Sequence, residues 1–287
     1  MTFEICLVLW GYNLEKIKFE VKELDAPVLL RDYLKQTRLS LTIIKKAKRT
    51  GIFVNGESVT VRKVIKNGDT VELLLPEEKS EKIDSIDIPL KVIYEDEYLI
   101  AVDKPTNMPT HPSKGNSLPT LANAVMHYFG GNFVFRAINR LDRDTSGIVI
   151  IAKDQITAAA LSGQMKASHF KKKYICIVEG HLTERHGIIN APIRRESADS
   201  IKRIIADDGK IAVTEYTVIE ERDECSVCEI ILHTGRTHQI RVHMAHIGHA
   251  LVGDFLYGKR DDNGYFLRCT EIGFCHPVTN EYITVKV

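Results

Sequence analysis

Apolar residues recur along residues 28–37 at spacings of one, three and four: Leu29, Leu30, Tyr33 and Leu34. That period puts them on one face of a helix. Ser40 precedes a second helical run and belongs to a residue type that caps helix starts. Leu41, Ile43 and Ile44 are expected to point inward from that run, and Gly51 stops it. The pattern then shifts to short apolar stretches between turn residues. Ile52-Phe53-Val54 leads into Asn55-Gly56, a strong hairpin signal. Residues 59–64 and 70–75 read as further strands, with a turn at Asn67-Gly68-Asp69 between them. Residues 77–87 (EEKSEKIDSID) carry charge without periodicity and read as a linker.

Beyond that stretch the chain turns strand-rich. Strands are expected over 90–94, 99–104, 147–152, 173–178, 211–220, 226–232 and 265–274, and helices over 118–129, 155–167 and 239–247. Strands and helices do not alternate regularly. This predicts an α+β class, with a mixed, mostly antiparallel sheet and flanking helices. The chain divides into a module over 1–75, a linker over 76–88 and a large domain over 89–287. Residues 5–10 are apolar but short, with no basic start and no small-residue cleavage site, so they read as a first strand. No window reaches the ~18 apolar residues that span a bilayer.

Composition adds little: 44% hydrophobic, 27% charged and a net charge of +1. Charge distribution adds more. From Arg31 to Lys66 there are ten basic residues and two acidic ones, and an acid-rich stretch follows. A basic face inside a neutral total suits nucleic-acid binding. The six cysteines are scattered, as for free thiols in a reducing cytoplasm. Cys225 and Cys228 form a C-x-x-C, but a zinc site would want a second pair at suitable spacing.

The helix, basic helix, hairpin and strand of the first module resemble the RNA-binding module named after small-subunit ribosomal protein S-four. The residues carrying the likeness are Leu34, the basic helix, the turn Gly51-Ile52-Phe53-Val54-Asn55-Gly56 and the step Gly68-Asp69. The resemblance implies that Lys45, Lys46 and Arg49 meet RNA. Solvation of a helix face is the plainer use of such a run.

The segment Arg140-Leu141-Asp142-Arg143-Asp144-Thr145-Ser146-Gly147 resembles the signature of RluA-type RNA pseudouridine synthases, with Asn139 where the family usually has histidine. Without that likeness it would read as an Asx turn leading into a strand. The reaction breaks uridine's glycosidic bond, turns the base and rejoins it through carbon five. A carboxylate beside the anomeric carbon stabilises the oxocarbenium-like charge, adds to it or removes a sugar proton. The resemblance makes Asp142 that carboxylate and Arg140 a substrate-binding residue. Asp144 is the rival, and it would point away were the segment extended.

Lys172-Lys173-Tyr174 resembles the family's Lys-x-Tyr step, which implies that Tyr174 packs on a flipped base. Lys171, Lys172 and Lys173 are expected to meet phosphates or solvent. Thr234-Gly235-Arg236-Thr237-His238-Gln239-Ile240-Arg241-Val242-His243 resembles a third family signature. Gly235 is expected to permit a sharp turn into a helix. The likeness implies that Arg241 is the ion partner of Asp142, Ile240 lines the base pocket, and Arg236 touches RNA or anchors the loop. Further likenesses lie at Asp103-Lys104-Pro105, His111-Pro112, Gly253-Asp254, Tyr257-Gly258 and Phe274-Cys275-His276-Pro277, with Leu267-Arg268-Cys269 departing from the usual Leu-His-Ala. Together these imply a monomeric cytoplasmic enzyme that needs no cofactor or metal. Its partner would be RNA, with ribosomal RNA favoured and transfer RNA the alternative. Two other classes stay open at this point. One is a non-catalytic RNA-binding or ribosome-assembly factor. The other is a metal-dependent hydrolase using His238, His243, His246 and His249, for which no HExxH is present.

Overall fold

In the computed structural model the described residues are 16–37, 39–78, 83–113, 119–259 and 264–287. The run 5–10, Cys6 and Arg38 lie outside them. The first part comprises β1 (Lys16–Glu20), β2 (Val28–Leu29), α1 (Leu30–Gln36), α2 (Leu41–Thr50), β3 (Gly51–Val54), β4 (Glu57–Ser58), β5 (Val64–Ile65) and β6 (Thr70–Leu74). An antiparallel sheet in the order β1-β6-β3-β4 packs with both helices around Leu34, Ile43, Ile52 and Leu73.

Ser40 caps α2 as expected, its Oγ accepting from the Ile43 N–H at 3.2 Å. Ile43, Ile44 and Ala47 are buried, but Leu41 is 68% exposed, against expectation. At about 100° per residue, Leu41 falls off the arc that those three share. Residues 59–63 are not a strand either. Leu29 gives α1 no side-chain cap, and the carbonyls of Lys63 and Val61 instead accept from the N–H groups of Leu30 and Arg31 at 2.8 and 2.9 Å. Backbone groups spent on a helix start are not available to a ladder.

The second part comprises β7 (Val92–Glu95), β8 (Leu99–Lys104), α3 (Leu121–Tyr128), β9 (Ser146–Ala152), α4 (Gln155–Lys166), β10 (Lys171–Glu179), β11 (His186–Asn190), β12 (Ile193–Arg195), β13 (Arg203–Ile205), β14 (Val213–Arg222), β15 (Cys225–Leu232), α5 (Gln239–His246), β16 (Leu267–Cys275) and β17 (Tyr282–Lys286). Nine of these strands form one sheet in the order β11-β14-β15-β10-β16-β9-β8-β7, with β17 also on β16. All its pairings are antiparallel except β9 with β16. The mixed, mostly antiparallel sheet is as expected.

β9 lies inside the sheet, between β16 and β8. Ile148 to Ala152 are wholly out of water, as a strand covered on both faces requires. At its first turn Gly147 takes φ +109°, and a Cβ there would fall 2.1 Å from the Cys269 carbonyl oxygen of β16. Only glycine fits that approach.

The segment read as a linker is tied down at both ends that are described. Glu78 accepts from Lys46 and from Arg136, both at 2.7 Å, and the Asp84 carbonyl accepts from Asn123 at 2.8 Å. Lys46 also donates to the Gln155 side chain at 2.8 Å, and Ile156 of α4 is buried in the first part's core. No helix among the described residues is long and apolar enough to cross a membrane.

Gly147→Ala is expected to cost at least ~2 kcal/mol, since it combines a backbone clash with a left-handed φ. Urea unfolding followed by circular dichroism measures it, and wild-type stability in the variant would contradict the close packing at Cys269.

Candidate active site

The start of β9, the start of β10, the end of β15 and the start of α5 meet at one side of the large sheet. They enclose a cavity of about 780 Å³. Seven of the residues singled out by sequence line it: Arg140, Asp142, Lys172, Tyr174, Arg236, Ile240 and Arg241. Lys45, Lys46 and Arg49 do not; they lie on α2.

Asp142 sits in a turn closed by the Thr145 N–H donating to its carbonyl at 3.1 Å. The segment is thus not extended, and direction along a strand does not separate the two aspartates. A different contact does. Arg143 grips Asp144 through two bonds of 2.8 Å, and Asp144 is absent from the cavity lining. The loop around Asp142 is braced from outside. Thr110 Oγ1 donates to the Leu141 carbonyl at 2.8 Å and Thr106 Oγ1 to the Asp144 carbonyl at 3.0 Å. Lys104, wholly buried, donates to the carbonyls of Pro105, Met108 and Arg143 at 2.9, 2.6 and 3.1 Å. Burial pushes its ammonium down to about 8, while Asp144 and Asp142 pull the other way. It stays charged at neutral pH, where three carbonyls match its three donors. Asn139 accepts from the Ile150 N–H and donates to the Ile148 carbonyl, each at 2.9 Å, so the residue that departs from the family pattern clips the loop to β9.

A guanidinium and an imidazole face Asp142 at the same range. Arg241 Nη1 and His238 Nε2 each stand 3.9 Å from its Oδ2. Among the described residues nothing hydrogen-bonds that carboxylate. Arg241 is not primarily its partner, as sequence had suggested. Its Nε and Nη2 donate to Asp254 at 2.6 and 2.7 Å, and Asp254 has no exposed surface. Burial works against the guanidinium's charge, but the bonded Asp254 carboxylate prevails and holds its pKa above the ordinary value. Phe255, Tyr257 and Tyr265 surround it, with ring centres 5.7, 5.0 and 4.5 Å from its central carbon. Asp254 also accepts from the Leu256 and Tyr257 N–H groups at 3.0 and 3.3 Å, so it shapes the loop that carries two of the rings.

His238 takes a left-handed φ of 58° at the start of α5. The sharp entry into the helix is therefore made at His238, not at Gly235 as expected, and Gly235 has another use considered below. Its Nδ1 lies 2.8 Å from the Tyr257 hydroxyl, which already accepts from the Arg203 N–H at 2.8 Å. When the hydroxyl donates to Nδ1, the neutral ring carries its proton on Nε2, toward Asp142. Burial, partly countered by Asp142, lowers the imidazole's pKa, and neutral histidine fits that tautomer. Gln239 staples the preceding loop: its Oε1 accepts from Thr234 Oγ1 and the Arg236 N–H, and its Nε2 donates to Val213 O and Thr214 Oγ1. Arg236 donates through Nε to the Ile211 carbonyl at 2.9 Å, a loop anchor.

Tyr174 is 5% exposed and buried against Cys269, and that burial drives its phenol pKa well upward. Its alternation along β10 places it on the cavity side with Lys172. The histidines foreseen as possible ligands are engaged elsewhere: His243 meets Thr214 Oγ1 and Ala191 O at 2.8 and 2.9 Å, and His249 meets Glu179 O at 2.8 Å. Among the described residues no group of three His, Cys, Asp or Glu side chains is placed to hold a metal ion.

An α+β fold carrying a turn-held carboxylate, a caged guanidinium and a buried tyrosine around one cavity defines a class of RNA-modifying isomerase. The model of the RNA pseudouridylate synthase family matches residues 98–246, and the chain belongs to that family. It is 34% identical over 260 residues to the uncharacterized RNA pseudouridine synthase YjbO of Bacillus subtilis, covering 88% of this chain and 92% of that protein. It is 34% identical over 270 residues to the ribosomal large subunit pseudouridine synthase D of Zymomonas mobilis, covering 86% and 85%. Among solved structures, human RNA pseudouridylate synthase domain containing 1 superposes with a TM-score of 0.58 at 27% identity, over 69% of this chain and 83% of that one. The protein is an RNA pseudouridine synthase of the RluA type.

Asp254→Ala leaves a guanidinium buried without its carboxylate. The expected loss is about 3–5 kcal/mol in denaturant unfolding, and a loss under 1 kcal/mol would show that Asp142 and the rings suffice for Arg241.

Proposed function

We propose that this enzyme isomerises specific uridines of structured RNA, ribosomal RNA foremost, after flipping them into the cavity. Asp142 is the nucleophile. Arg241 faces that carboxylate and orients it, and Tyr174 packs on the base. Ile240 closes the pocket wall, while Arg140 and Arg236 stand at the exposed rim where the strand enters. The observation carrying this reading is the approach of Arg241 Nη1 to Asp142 Oδ2, at 3.9 Å, beside Tyr174 in one cavity. A caged guanidinium that spends Nε and Nη2 on Asp254 and aims Nη1 at Asp142 sets a positive charge beside the carboxylate without blocking it. Breaking the glycosidic bond needs that anion beside the sugar. The enzyme works as a cytoplasmic monomer without metal or cofactor. Similarity to the ribosomal large subunit pseudouridine synthase D of Zymomonas mobilis, together with the N-terminal module, favours ribosomal RNA over transfer RNA.

Residues 1–75 act as an S-four-like RNA-binding module and residues 89–287 as the catalytic domain. Lys45 and Arg49 are exposed on α2 and are the module's RNA contacts. Lys46 leaves that set, because Glu78 and Gln155 already take its donors.

Asp142→Asn is expected to abolish isomerisation while RNA affinity changes less than about 3-fold, as for loss of a nucleophile rather than a binding contact. Pseudouridine mapping of RNA treated with each form tests it, and turnover by the variant would overturn the assignment. The double variant Lys45→Gln/Arg49→Gln should weaken RNA binding and lower the slope of log Kd against log salt by about 1.5–2. An unchanged slope in a filter-binding titration would remove α2 from the RNA interface.

A further inference from the structure

The three lysines at the start of β10 do not act together. Lys171 is exposed, and Lys173 pairs with Glu229 at 3.0 Å on the opposite side of the strand. Lys172 is turned inward, 7% exposed, into the cavity two residues before Tyr174 on the same face. Among the described residues it has neither a carboxylate partner nor a hydrogen-bond acceptor. A buried ammonium in that condition is costly and seldom kept without a use. Space is made for it. A Cβ on Gly235 would come 3.0 Å from Lys172 Nζ, so the glycine of the third motif leaves room for the ammonium. Burial lowers its pKa, against a smaller opposing pull from Cys269.

We propose that Lys172 is a catalytic residue that hydrogen-bonds a carbonyl oxygen of the target uracil and stabilises the base anion released when the glycosidic bond breaks. This rests on Tyr174 packing on the base, because Lys172 shares its strand face. When the C1′–N1 bond breaks, its electron pair passes to N1 and spreads over the ring's carbonyl oxygens. The sugar is left cationic at C1′, where Asp142 faces it. The base stays in the cavity, C5 then donates an electron pair to C1′ and gives up its proton to solvent, and N1 takes a proton up, so that the product is an isomer of the substrate. Lys172 keeps all its protons and offers a fixed charge where negative charge develops. A phosphate is the other anion it could meet. The rim cations Arg140, Lys171 and Arg236 are exposed and better sited for the backbone, whereas Lys172 lies on the tyrosine's side of the wall.

The test uses full-length Lys172→Met, which keeps the volume and removes a desolvated charge, so folding is not at risk. On an RNA that the wild type modifies, its single-turnover rate at saturating enzyme should fall about 10²–10³-fold, the loss typical of one such donor. RNA affinity and its salt slope should stay unchanged. Followed as cleavage of the C1′–N1 bond, the step before C5 loses its proton, the loss should shrink with 5-fluorouridine at the target, whose departing base carries its charge more easily. A raised Kd with a salt slope reduced by about 1 and a retained rate would mean a phosphate contact and overturn the proposal. A variant equally slowed on both bases would overturn the leaving-group role. An unaffected Lys172→Met beside an inactive Asp142→Asn would also overturn it, while leaving the reading of Asp142 intact.

Discussion

Arg241 is almost wholly out of water, and a guanidinium there needs a carboxylate within bonding distance or the fold will not keep it. Asp254 meets that need with two short bonds and is itself fully enclosed. The geometry of the site follows from this division of labour. Were Asp142 the bidentate partner, both its oxygens would be engaged and its nucleophilicity reduced. Because Asp254 takes Nε and Nη2, Asp142 feels the cation at 3.9 Å with no bond to it. The cation's position is also set sideways by three aromatic rings, two of them on the loop that Asp254 shapes. One buried pair thereby fixes the helix α5, the loop after it and the field at Asp142.

The loop bearing Asp142 has no regular structure of its own, so its order comes from neighbours. Lys104 and the hydroxyls of Thr106 and Thr110 take up its carbonyls from one side, and Asn139 ties its entry to β9. Its exit is fixed by the glycine-only contact of Gly147 with β16. Since β16 also pairs with β10 at Cys269 and Tyr174, the nucleophile's loop and the tyrosine are held through one shared strand. Segments distant in sequence therefore converge without flexible intermediates, as a preorganised site requires.

What could be read in advance divides along the range of the forces involved. The Ser40 cap, the strand 99–104 and the helices after 154 and 238 were legible because side-chain spacing and local hydrogen bonds decide them. Leu41 and residues 59–63 were not, since one is set by which arc of a short helix meets the core and the other by carbonyls lent to another helix. The strands β11, β12, β13 and β17 are short, and part of their surface faces solvent, so their pattern is weak. In the site, Asp142, Tyr174 and Arg241 were legible through motifs that resemble a known family. Asp254 was visible as a motif residue, but its role was not. The signal was physical: an arginine buried in a cavity wall implies a buried carboxylate, and Asp142 is too exposed to be that partner.

The helix α2 shows how a charge run can hold two functions that sequence cannot separate. Lys45, Lys46, Lys48 and Arg49 look equivalent along the chain. In the fold, Lys46 alone turns toward the second part, bonding Glu78 of the connecting segment and Gln155 of α4. Glu78 in turn accepts from Arg136, which also donates to the Val134 and Lys153 carbonyls at 3.0 Å. The two bonds from Lys46 to Glu78 and from Arg136 to Glu78 keep that carboxyl below the usual range despite burial, which raises it. Ile156 adds an apolar contact by entering the first part's core. A polar clamp beside an apolar peg resists both sliding and rotation, since each is directional in a different way. The remaining cations of α2 are thus carried on a helix fixed to the catalytic part rather than on a free tether.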